Sequence, residues 1–174
     1  MSAVPGKAPA PQLPPQVESA HDLLLNELGK LLTIEETLAK RVLPALVREL
    51  QDDELKQVVS SHLEETKAHA GRVRDAFAAL DTAPSGKPAP GLEGLGKERS
   101  HAIEETMPAL RPAVNCAAAM GTEHYEINAY EAAIRLADAL GAEEAARLHR
   151  TNLEEEIGAL QKLAAQADRL AQQS

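Results

Sequence analysis

Four glutamates fall at matched depths in two helical hairpins, and that placement limits the folds open to this chain. Glu35 and Glu65 stand 30 residues apart, as do Glu126 and Glu156. A polar break at Leu50–Asp53 marks the turn between the first pair, and Gly141 marks the turn between the second. Each glutamate lies roughly 15 residues from its turn, which at ~1.5 Å per helical residue places all four carboxylates about 20 Å along the bundle. Carboxylates gathered in one buried layer repel one another and lose hydration unless a cation holds them. The spacing predicts a helical bundle built around metal.

Composition agrees with helix. Ala, Leu, Glu, Lys and Arg dominate the 174 residues, and aromatics make up only 2%. With one Phe, two Tyr and no Trp, the core must come from Leu, Ala, Val and Ile, whose modest size suits close helix packing. The length suits one domain. A net charge of −9 without a Lys/Arg stripe argues against nucleic acid as a partner. No apolar run approaches the ~20 residues of a membrane span, and the N-terminus has no hydrophobic signal region. Cys116 is the single cysteine, so no internal disulfide can form, and a cytoplasmic location is expected.

Residues 1–16 hold Pro5, Pro9, Pro11, Pro14 and Pro15 and read as a disordered or polyproline-type tail. The domain is expected over 17–172. A first helix runs from Val17 to Leu50, with Leu24, Leu28, Leu31, Leu38, Val42 and Leu46 at helical spacing; Glu35 shares that stripe, and Pro44 should kink it. Asp52 or Asp53 caps a second helix reaching Leu80. A loop over 81–91 leads to a short helix near Leu92–Glu105. Pro108 and Pro112 open a third long helix ending at Gly141, and the last runs from Ala142 to about Leu170. The fold class is all-α: a four-helix bundle with ferritin-like connectivity and an extra helix in the long crossover, which lets the second hairpin pack in the same sense as the first.

Dinuclear bundle sites combine four carboxylates with two histidines, usually through Glu-x-x-His pairs. Only Glu18/His21 and Glu98/His101 match that motif, and both read as surface pairs. Depth points elsewhere. His69 is one turn beyond Glu65 on its face, and Glu123 is three residues before Glu126, so both occupy the neighbouring layer and can complete a ligand set. His62 is a reserve on the other side. Glu64, Glu154 and Glu155 are expected to face solvent, and His124 and His149 to lie at the surface or edge. Tyr125 and Tyr130 read as packing residues, with Tyr130 in reach of a ligand carboxylate. Cys116 reads as a small core residue.

The stretches HLEET over His62–Thr66 with His69, EHYEI over Glu123–Ile127 followed by Ala129 and Tyr130, LEEE over Leu153–Glu156, and LEGL over Leu92–Leu95 resemble the YciE/YciF-type family of ferritin-like stress proteins. The similarity runs from about His21 to Leu170. It implies a ferritin-like domain, a carboxylate-bridged di-iron centre, often a homodimer, and a link to bacterial stress responses. The matching positions are Glu35, Glu65, Glu123, Glu126 and Glu156, with His69 where the family commonly has His or Gln. Ile157 and Leu160 stand where such proteins often carry Lys and Asp.

The expected function is therefore a dinuclear iron or manganese protein that oxidises Fe(II) or reacts with O₂ or peroxide. Glu65 and Glu156 would bridge, and Glu35, His69, Glu123 and Glu126 would be terminal ligands. The alternative is a non-enzymatic acidic helical module that dimerises or binds a partner.

Overall fold

The computed structural model describes residues 16–173, so the Pro-rich segment expected over 1–16 lies, but for Gln16, outside the described residues. Helix α1 (Ala20–Thr37) continues through a π turn (Leu38–Val42) into α2 (Leu43–Glu49). Then follow α3 (Asp53–Ala79), α4 (Pro90–Glu105), α5 (Arg111–Ala139) and α6 (Glu143–Gln172). There is no strand among the described residues.

Local chemistry sets the breaks. Ser19 caps α1, its Oγ accepting from Asp22 N–H at 3.0 Å. Asp52 caps α3, its Oδ1 accepting from Leu55 N–H at 2.9 Å. Pro44 has no N–H to give the Lys40 carbonyl and its ring crowds that group. The expected kink takes the form of a π turn, in which Leu43 N–H reaches back to Leu38 O. At the second hairpin Gly141 takes the left-handed conformation (φ +67°), and Ala142 N–H closes the helix end onto Ala137 O at 2.8 Å.

Two apolar clusters fill the ends of the bundle. One joins Leu24 and Leu28 of α1 to Phe77 of α3, Ala137 of α5 and Ala146 of α6. The other joins Leu46 and Leu50 to Leu55 of α3, Cys116 of α5, and Leu163 and Leu170 of α6. The start of α3 thus meets the start of α5, so these two helices run parallel. The 80–110 link travels the length of the bundle, and the hairpin turns lie at opposite ends. That corrects the expectation that both hairpins share one sense. The glutamates still meet, because each lies mid-helix. Helix α1 contacts α3 and α5, and α6 contacts the same two, so every neighbouring pair is antiparallel.

Candidate metal centre

Between the two apolar clusters the core turns polar. Glu35, His69, Glu126 and Glu156 have no exposed surface, and Glu123 retains 2%. Helix periodicity explains the set. The inward stripe of α3 is Val59, His62, Thr66, His69 and Val73, and that of α6 is Ala145, His149, Asn152, Glu156, Ala159 and Leu163. On α5, Glu123, Glu126 and Tyr130 repeat at three and four residues.

The side chains form two donor groups that share one carboxylate. His62, Glu123, Glu126 and Glu156 each bring one ligand atom within 4.8 Å of all the others; Glu35, His69 and Glu156 do the same. His62 Nε2 lies 3.3 Å from Glu123 Oε1 and 3.7 Å from Glu156 Oε2. His69 Nδ1 lies 2.8 Å from Glu156 Oε1 and 3.6 Å from Glu35 Oε2. These are ion-pair distances without hydrogen-bond alignment, and they leave His69 Nδ1, Glu35 Oε2, Glu123 Oε2 and both oxygens of Glu126 and Glu156 buried and unsatisfied.

Such a site is electrostatically expensive without a cation. Burial raises the Glu35 pKa to about 7, although the facing His69 imidazole pulls against it. Burial, then the charge of Glu156, holds Glu123 and Glu126 well above the carboxylate range. Burial also disfavours charge on His69, but the facing carboxylates of Glu156 and Glu35 outweigh it and hold its pKa at about 10. Glu156 is lowered because the same histidine, with Glu123, outweighs its burial. The metal-free centre thus pairs a cationic His69 imidazole with the Glu156 carboxylate, amid carboxyl groups of raised proton affinity on Glu35, Glu123 and Glu126.

Five of the six expected ligands are drawn together: Glu35, His69, Glu123, Glu126 and Glu156. Glu65 is not. The position facing inward at its level is Thr66, fully buried and bonded through Oγ1 to His62 O at 2.9 Å. Glu65 sits one residue off the stripe, where it receives Lys162 Nζ at 3.2 Å and faces His62 Nδ1 at 3.4 Å. The reserve ligand His62 takes the inner place.

A polar frame surrounds these donors. Tyr130 OH donates to Glu35 Oε1. Asn152 Nδ2 donates to Tyr130 OH at 2.9 Å, and Arg72 NH1 donates to Asn152 Oδ1 at 2.8 Å. Arg72 also grips Glu155 with both nitrogens, at 2.7 and 3.0 Å, and Glu155 Oε2 lies 2.8 Å from His69 Nε2. Glu155 is therefore not the solvent-facing member of its run, since Arg72 draws it against α3. His149 is not at the surface either. It is fully buried with its ring 5.6 Å from that of Tyr130, and burial lowers its pKa to about 4. Its place seven residues before Glu156 on one helical face was the available signal. Cys116 is a core residue as expected, donating to Leu163 O, its pKa pushed up to about 11 by burial.

A family model described as a domain of unknown function, DUF892, matches residues 19–174. Protein YciF of Escherichia coli (strain K12) is 32% identical over 142 residues, covering 80% of this chain and 85% of that protein. The crystal structure of the E. coli stress protein YciF matches with a TM-score of 0.84 at 30% identity, over 90% of this chain and 99% of that one. The structure of YcfI from Rhodopseudomonas palustris matches with a TM-score of 0.82 at 34% identity, over 85% and 94% of the two chains.

Proposed function

For this chain, which belongs to the DUF892 family of YciF-like helical proteins, we propose a dinuclear iron or manganese centre that oxidises Fe(II) with O₂ or peroxide. Buried, unsatisfied ligand atoms converging from four helices carry this reading: Glu35 Oε2, His69 Nδ1, Glu123 Oε2 and the carboxylate oxygens of Glu126 and Glu156. Without a cation each such group bears an uncompensated desolvation cost of ~1–3 kcal/mol or more. Oxygen and imidazole donors suit iron and manganese, so the residues fit the metals.

Glu35 and His69 would hold one ion, His62, Glu123 and Glu126 the other, and Glu156 both. Glu65 would act from the rim through His62 rather than as a second bridge. The metal pair supplies Lewis acidity and, as iron, one-electron redox chemistry.

The protein's own part is orientation and proton management. Tyr130 fixes one Glu35 oxygen and leaves the other facing the centre. Glu155 holds His69 Nε2, so Nδ1 faces Glu156 and Glu35. Cation loading must displace a proton from His69 Nδ1 and the protons held by Glu35, Glu123 and Glu126, which makes uptake pH-dependent. Near-complete burial limits the contact of these donors with bulk water. The E. coli relative is described as a stress protein, and we extend that setting, with a cytoplasmic location and a homodimer, to this chain.

Elemental analysis of protein purified without chelator tests the reading. It predicts about two iron or manganese ions per chain, lost in Glu126→Gln/Glu156→Gln, with Fe(II) oxidation lost in parallel. No metal after anaerobic Fe(II) loading would overturn it and leave an acidic helical interaction module.

A further inference from the structure

A cavity of about 310 Å³ opens beside the centre, between the π turn, α4 and α5. Leu38, Val42, Leu46, Leu92, Leu95 and Ala119 are among its apolar walls. His62 and Glu123, members of the second donor group, also line it, so the cavity reaches the centre. Its volume is within the ~300–1,000 Å³ of small-molecule sites, and mostly apolar walls with a few converging polar groups are the usual composition of such sites.

Two cations line the same cavity. Arg99 is committed: its Nε donates to Asn115 Oδ1 at 2.9 Å and its NH2 to Glu49 Oε2 at 2.5 Å. Arg41 is exposed on the π turn and makes no ion pair or side-chain hydrogen bond among the described residues. An uncommitted guanidinium on an apolar cavity suits an anionic group, above all a carboxylate, which it can bind through two parallel hydrogen bonds. The π turn that Pro44 imposes carries both Arg41 and Val42 of this wall.

We infer that this cavity binds a small apolar carboxylate, with its acid group on Arg41 and its tail directed toward His62 and Glu123. The inference rests on the dinuclear reading only for what the tail approaches; the binding site itself does not require metal.

Decanoate is the probe, and decylamine, with the same tail and opposite charge, is the control. Calorimetry on the metal-free full chain should show decanoate binding, weakened about tenfold in Arg41→Ala and abolished in Val42→Trp, which fills the cavity from an exposed wall position. Decylamine should not bind. No decanoate binding, equal binding of decylamine, or undiminished binding by Val42→Trp would overturn the inference. In protein loaded with Mn(II), the terminal methyl resonance of bound decanoate should broaden more than the methylene beside its carboxylate. The reverse order would overturn the orientation. Calorimetric binding by a chain that takes up neither Fe(II) nor Mn(II) would sustain the pocket and overturn the dinuclear reading.

Discussion

Glu155 Oε2 lies 2.8 Å from His69 Nε2, so a side chain on α6 sets the ring angle of a histidine on α3. Burial disfavours charge on Glu155, but the Arg72 guanidinium and His69 outweigh it and hold the carboxyl below its ordinary range. A fixed carboxylate on the far nitrogen both orients the ring and raises its basicity as a ligand. Glu155→Ala should therefore lower Mn(II) affinity by about 10–100-fold, measured by calorimetric titration, while leaving the helical content unchanged. Glu155→Gln should lie between, since an amide can still bond the ring without the charge. Wild-type affinity in both variants would mean that packing alone orients His69.

The metal-free chain should lose stability as pH rises from 6.5 to 10. Glu35 has a folded pKa of about 7 against an ordinary 4.5, and Glu123 and Glu126 are also raised. The folded chain keeps protons that the unfolded chain releases, so the stability they contribute in acid is lost as pH rises through their folded values. His69, at about 10 against 6.5, contributes stability below 6.5 that is lost through pH 10. His62 and His149 are lowered and act in the opposite direction, but only below 6.5. Cys116, pushed up to about 11, adds to the decline at the alkaline end. Thermal melts should show Tm falling by about 2–4 °C for each kcal/mol lost. Mn(II) should reverse the slope near neutrality, because binding gains as ligands deprotonate. A flat profile for the metal-free chain would contradict a buried, proton-holding centre.

Much of the fold and most of the centre are legible in the sequence, for identifiable reasons. Gly141, Asp52 and Pro44 mark helix boundaries because each imposes a backbone constraint that tertiary packing cannot remove. Glu35, Glu126 and Glu156 stand out because depth along a regular helix follows directly from residue count. Facing on α3 is less legible. Glu64 and Glu65 both precede Thr66, and a threonine carries no chemical signal strong enough to identify it as the inward position. The resulting offset of one residue, about 100° of rotation, moves Glu65 to the rim and His62 inward. Glu155 and His149 depart from expectation for a different reason. The polarity of each predicts exposure, and for Glu155 it is Arg72 and His69, 83 and 86 residues earlier, that turn it inward. The sense of the second hairpin depends on the path of the link, which local patterns do not encode.

Asp52 ties the first hairpin turn to the end of the last helix. Besides capping α3, its Oδ1 receives Arg169 NH2 at 2.5 Å. The Arg169 hydrogen bond, followed by the Leu55 N–H, lowers the Asp52 pKa below its ordinary 3.8. The contribution is thus present above 3.8 and is lost as pH falls through the lower folded value. Asp52→Ala should cost about 1–2 kcal/mol of stability at neutral pH, the usual range for a lost helix cap. The deficit in denaturant midpoint should shrink as pH falls below 3.8 and through the lower folded value. Asp52→Asn, which retains a capping oxygen, should recover more than half of the loss. A neutral Asp52→Ala would mean that Asp53 takes over the cap.

Two glycines should respond to alanine with opposite signs. Gly29 is buried in α1 where the link crosses it, with Lys87 N–H bonded to Gly29 O at 2.9 Å. A Cβ there would lie 2.5 Å from Lys87 Cγ and 2.7 Å from the Ser85 carbonyl oxygen. The lysine side chain can move aside, but the carbonyl cannot move without its backbone. Gly29→Ala should therefore cost about 1–3 kcal/mol through overpacking, more than offsetting the ~1 kcal/mol gained in helix propensity. Faster hydrogen exchange at the Lys87 amide would locate the displaced strap. At Gly71 in α3 an added methyl would meet nothing within 4 Å, so Gly71→Ala should stabilise by up to about 1 kcal/mol. Chemical denaturation of both variants checks the pair. Stabilisation by Gly29→Ala would show that the link adapts, and that its contact with α1 does not limit how closely these segments approach.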